Sequence, residues 1–101
     1  MRHLGVLRGA GTLECRGEVM GRADYEFDGY LMRPGEVVAS GEIRMAADAL
    51  RYAFSRRDLR LRTDDGRMLG VRFSHRRSGT PDDIAHADVH DGLPPEKDWR
   101  R

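Results

Sequence analysis

Two stretches of this chain alternate apolar and polar residues with period two, and each is folded back by a loop that ends in glycine. That pattern commits the chain to antiparallel hairpins. In residues 24–31, Tyr25, Phe27, Gly29 and Leu31 share one face, while Asp24, Glu26, Asp28 and Tyr30 share the other. After Arg33-Pro34-Gly35, the residues Val37, Ala39, Gly41, Ile43 and Met45 alternate with Glu36, Val38, Ser40, Glu42 and Arg44. Opposed residues must lie on the same face of a sheet. A two-residue loop would set Phe27 against Glu42 and mix core with solvent. A three-residue loop with Gly35 in the left-handed conformation sets Leu31 on Val37, Gly29 on Ala39, Phe27 on Gly41 and Tyr25 on Ile43.

The same rule works downstream. Leu59, Leu61 and Thr63 alternate with Arg60 and Arg62, and after Asp64-Asp65-Gly66 the residues Leu69, Val71 and Phe73 alternate with Arg72 and Ser74. A loop ending at Gly66 pairs Leu61 with Leu69 and Leu59 with Val71, and places Asp58 opposite Arg72 as a cross-strand charge pair. Between the hairpins, Ala46, Ala49, Leu50, Ala53 and Phe54 fall on one helical stripe, predicting a helix of two to three turns over 46–54. Residues 12–16 and 84–90 alternate as flanking strands, with Leu13, Cys15, Ala85, Ala87 and Val89 inward. An exposed loop over 76–83 joins the last two strands.

The fold class that follows is mainly β. It is a six-stranded antiparallel small barrel or two-layer sandwich, β-β-β-α-β-β-β, with one short helix between two three-stranded meanders. Residues 1–90 form a single β-rich domain, consistent with a chain of 101 residues. Residues 91–101, with Pro94, Pro95 and many charges, form an irregular tail from which Trp99 can dock.

No apolar run approaches the roughly 20 residues needed to span a bilayer, and the N-terminus lacks a secretory pattern. Cys15 is the only cysteine, which fits a reducing, cytoplasmic setting. Arginine outnumbers lysine, with Lys97 alone, and this usage matches a GC-rich bacterial genome. The formal net charge of +1 conceals polarity: residues 10–50 are acidic and residues 51–77 strongly basic.

Four constellations bear on function. His86, Asp88 and His90 share one face of a strand and could ligate a metal, with His75 as a further donor; the competing account is a hydrated outer face. Glu26 opposite Glu42 could hold a cation or serve acid–base chemistry, or could meet arginines from elsewhere. Arg60, Arg62 and Arg72 share the outer face of the second hairpin, within a block that includes Arg56, Arg57, Arg67, Arg76 and Arg77, and could neutralise phosphates. That face carries no aromatic on which a base could stack. Tyr30 and Val38, opposed beside Met32, form a small apolar patch suited to contact with a partner. Cys15 faces inward as a small hydrophobe rather than a nucleophile.

No catalytic constellation emerges, and no cofactor is expected. The sequence reading is a small non-enzymatic binding or adaptor module acting through protein contact or as a homodimer, through charged faces or an unpaired sheet edge. Its alternatives are nucleic-acid binding through the arginine face and metal binding through His86, Asp88 and His90.

Overall fold

A computed structural model describes residues 1–79 and 82–99. Its elements are β1 (Arg2–Cys15), β2 (Glu18–Arg33), β3 (Glu36–Ala46), α1 (Ala47–Ala53), β4 (Leu59–Thr63), β5 (Met68–Arg77) and β6 (Asp82–Asp91), followed by a 3₁₀ turn at Glu96–Asp98. The six strands form one antiparallel sheet in the order β1-β2-β3-β6-β5-β4, and pairing of β4 with β1 closes it into a ring. The two meanders are therefore joined at two seams, β3–β6 and β1–β4.

Both hairpin registers follow the alternation. Tyr25 pairs with Ile43, Phe27 with Gly41, Gly29 with Ala39 and Leu31 with Val37. In the second hairpin Leu59 pairs with Val71 and Leu61 with Leu69. Gly35 and Gly66 adopt φ of 81° and 97°, the left-handed region that a side chain would disfavour. The inward set packs as a single core: Leu13, Phe27, Ile43, Leu50, Leu61, Leu69 and Ala87 have no exposed surface. Tyr25 and Phe27 stack at 5.4 Å. Gly41 leaves the gap that this layer needs, since a Cβ there would stand 2.0 Å from the Glu26 carbonyl oxygen.

Several boundaries differ from the sequence expectation, each for a physical reason. β1 begins at Arg2 rather than near residue 12, because a bulge between His3 and Gly5 breaks the parity and buries Leu4 together with the odd-numbered residues. The charge pair of Asp58 with Arg72 does not form. Asp58 lies outside β4 with φ 61° and bonds Arg16 instead, while Arg72 stands opposite Asp88. β5 and β6 run to Arg77 and from Asp82, shortening the expected 76–83 loop, of which residues 80 and 81 lie outside the described residues. In the tail, Glu96–Asp98 make a 3₁₀ turn where irregular chain was expected; residues 100 and 101 again lie outside the described residues.

The two ends of the barrel are covered differently. At one end α1 lays Leu50 and Ala53 over the core, and Ala49 packs against the inner side of Gly21. At the other end the sheet overhangs the ring. β4 reaches only to Gly11 of β1, so, among the described residues, residues 2–10 of that strand pair with β2 alone. The tail crosses beneath this overhang. Leu93 and Trp99 pack on the core, and the Trp99 indole donates from Nε1 to the Pro94 carbonyl at 3.0 Å and covers Gly29. Arg2 and Glu96 form an ion pair that ties tail to strand. No helix among the described residues is long and apolar enough to cross a membrane.

Candidate functional site

A concave surface lies where the end of α1, the segment after it, β4 and β5 meet. It measures about 740 Å³, and its lining includes Phe54, Arg56, Arg57, Arg60, Arg72 and His90. Its shape follows from local chain geometry. Phe54 caps α1 through a bond from its N–H to the Leu50 carbonyl at 2.8 Å and stacks nearly parallel on Phe73 at 6.0 Å. The Arg56 N–H donates to the Ala53 carbonyl at 3.0 Å, and the Cys15 thiol donates to the Arg57 carbonyl at 3.2 Å. Asp58 then turns the chain into β4, its carboxylate accepting from Arg16 Nε at 3.0 Å. Arg16 and Asp58 are the two non-glycine residues with positive φ among the described residues, at 52° and 61°. Such conformations cost on the order of 1 kcal/mol each, so the bond between these two residues and their neighbours' anchorage holds a segment that carries two arginines.

The floor is formed by the outer face of β4 and β5. Arg60 is opposite Gly70, and the missing side chain admits the His90 imidazole: a Cβ at Gly70 would meet its Cε1 at 2.8 Å. The electrostatics are one-sided. Arg60 lies 3.5 Å from Asp91, both well exposed, and Asp58 is engaged by Arg16. Arg56, Arg57 and Arg72 have no carboxylate oxygen within ion-pair distance among the described residues. Arg56 instead lies over the ring of Tyr52, 4.4 Å from its centroid, and Tyr52 is half exposed.

The sequence-predicted residues divide around this groove. Arg60 and Arg72 line it, whereas Arg62 pairs with Glu14 of β1 and is not among its lining residues. The outer positions of the hairpin carry no aromatic, as expected, but Phe54 from the C-terminal flank of α1 lines the groove, and the Tyr52 ring lies beneath Arg56. The signal was there in Tyr52-Ala53-Phe54, separated from Arg56 and Arg57 by Ser55 alone.

Elsewhere, Tyr30 and Val38 are opposed as expected, with Tyr30 meeting the His3 ring edge-on at 5.2 Å and Met32 exposed nearby. Glu26 and Glu42 face one another, and each is met by an arginine from another strand: Arg8 at 3.0 Å and Arg77 at 3.2 Å. His86 lies 3.6 Å from Asp88, and His90 turns to Gly70. Among the described residues no three His, Cys, Asp or Glu side chains converge into a ligand set. Cys15 is buried.

Comparison with known proteins finds no matching family model, no matching curated protein and no matching solved structure.

Proposed function

We propose that the protein is a small, non-enzymatic binding module that holds the phosphodiester backbone of a single-stranded nucleic acid along the basic groove, in a cytoplasmic setting. The observation that carries this reading is the set of three guanidinium groups, on Arg56, Arg57 and Arg72, that share one concavity without a carboxylate partner among the described residues. Arginines on ordinary protein surfaces are free to meet carboxylates, and most of those on this barrel do. A cluster left unmatched raises the local positive potential and favours a multiply charged anion. Beside these charges stand two aromatics, the half-buried Phe54 in the groove's lining and the half-exposed Tyr52 beneath Arg56, the residue type on which sequence-tolerant single-strand binders stack bases.

Fluorescence anisotropy with a labelled oligothymidylate tests the reading. Neutralising about three phosphates gives a salt slope near −2 for a single strand, so affinity is expected to fall roughly twentyfold between about 50 and 200 mM salt. The combined Arg56→Gln, Arg57→Gln and Arg72→Gln variant is expected to lose binding by at least about tenfold, whereas Arg62→Gln, already matched by Glu14, leaves it unchanged. Absence of binding at the lower salt, or equal binding by the triple variant, refutes the proposal.

A second reading, contact through protein surfaces, is supported by a feature unrelated to the groove: backbone groups on β1 that no neighbouring strand engages among the described residues.

A further inference from the structure

We infer that two copies of this chain join through the overhanging part of β1, extending the sheet across a two-fold axis centred on Leu7. The inference goes beyond the groove and uses none of its residues.

A closed sheet normally has no edge, but this one is closed only where β4 reaches. β1 pairs with β4 from Gly11 to Cys15, and residues 2–10 have β2 on one side and no strand on the other among the described residues. The direction of the free groups can be read from one bond. The Asp64 N–H donates to the Ala10 carbonyl at 2.9 Å, on the side away from β2. Backbone groups alternate sides along an antiparallel strand, and the register with β2 is unbroken from Gly5 to Leu13. The N–H and C=O of Val6 and Arg8 therefore also point away from β2, and no backbone bond reaches them among the described residues. Such a row of unpaired groups is a template for another strand.

The devices that usually blunt an edge are sparse here. Residues 2–10 contain neither proline nor lysine. The bulge between His3 and Gly5 and the tail's contact at Arg2 close off the near end, leaving a run of unbroken register from Gly5 to Ala10.

That run is complementary to itself in one register. Only even-numbered residues offer free groups, so a two-fold pairing must set even against even. Centring on Arg8 opposes two arginines, which is unfavourable. Centring on Val6 sets Arg8 against Leu4, a residue beyond the bulge. Centring on Leu7 sets Val6 against Arg8 of the second copy, Gly5 against Gly9 and Leu7 against Leu7. It forms about four inter-chain hydrogen bonds from the Val6 and Arg8 groups alone. Leu7, packed at the margin of the core, then meets its counterpart at a closely spaced position, so the two cores become continuous at the seam. Val6, 37% exposed, loses its contact with water.

Sedimentation velocity over a wide concentration range tests this with three variants at Val6, a surface position where folding is checked by circular dichroism. The wild-type chain is expected to show a concentration-dependent dimer. Val6→Pro removes an edge N–H without touching the β1–β2 ladder, and Val6→Lys sets a cation against Arg8 of the second copy. Each is expected to raise the dissociation constant at least about tenfold, while Val6→Glu, facing the same arginine, lowers it by about threefold. Should Val6→Pro fail to fold, the opposite signs of the Lys and Glu variants decide the matter alone. A chain that stays monomeric at every concentration overturns the inference, and so does a dimer that Val6→Lys and Val6→Glu shift in the same direction. Protection of the Val6 and Arg8 amides only on adding an extended peptide assigns the edge to a foreign strand and overturns it as well.

Discussion

Replacing Gly29 with alanine tests how the C-terminal tail is held, and its size can be worked from the structure. A Cβ at Gly29 would stand 2.4 Å from two atoms of the Trp99 ring, Cη2 and Cζ3, and 2.7 Å from a third. Ordinary carbon–carbon contact begins near 3.5 Å, so the indole must withdraw by roughly 1 Å, a gap that forfeits a quarter to a half of its dispersion contacts or more. Truncating a fully buried tryptophan costs about 3–5 kcal/mol. Trp99 is only partly buried, so its removal should cost about 2 kcal/mol, and Gly29→Ala about half of that. In a domain of this size 1 kcal/mol is a shift in Tm of about 4–8 °C. The decisive measurement is a double-mutant cycle by urea denaturation. With Trp99→Ala already present, Gly29→Ala should cost nothing, so the two effects fall short of adding by about 1 kcal/mol. Trp99 is the single tryptophan, so its emission reports directly: Gly29→Ala should shift it to the red while the far-ultraviolet spectrum stays that of a β protein. Strict additivity, or an unmoved emission maximum, refutes the account of the tail as a cover seated on a glycine.

A second glycine should be less forgiving. Gly41→Ala drives its Cβ into the Glu26 carbonyl and the Phe27 Cα, which are backbone and cannot step aside, so it should destabilise by more than about 2 kcal/mol by the same denaturation assay. The exposed Arg22–Asp64 pair predicts a pH effect: the Arg22 guanidinium holds the Asp64 carboxyl below the usual aspartate range. Its contribution is present above the unfolded value and is lost as pH falls through the lower folded one. Asp64→Asn should therefore remove a small part of the acid-side loss of stability, and a carbon-detected NMR titration should find Asp64 protonating later than a free aspartate as the solution is acidified.

The hairpin registers were legible because burial on one face is parity-sensitive: moving Phe27 by one residue would have put it in water beside Glu26, and only a glycine-ended loop avoids this. The N-terminal half of β1 was not. Its bulge lets Leu4 and Leu7 serve the same side despite their odd separation, and Gly5, Gly9 and Gly11 carry no side chain with which to announce a face. Asp58 misled for a related reason. The alternation of β4 extends to it, but the chain leaving α1 must turn there in a left-handed conformation, a demand set by where α1 ends and not by its neighbours in sequence. The groove was half legible. Arg60 and Arg72 follow from strand parity, whereas Arg56, Arg57 and Phe54 reach it only because the segment after α1 is tied back to Cys15 and Arg16. Contacts between residues so far apart in the chain leave no periodic trace.

The way the ring is sealed also sets an order of events as the polypeptide forms. Each meander can assemble from adjacent segments, but the seams joining them are non-local: one brings the first strand to the fourth, the other the third to the last. The earlier meander must therefore wait, its greasy inner surface uncovered, until residue 91 and the tryptophan beyond it have arrived. Closure of such distant partners is slow compared with hairpin formation, and the interval is when the newly made chain is most exposed to clumping with its neighbours.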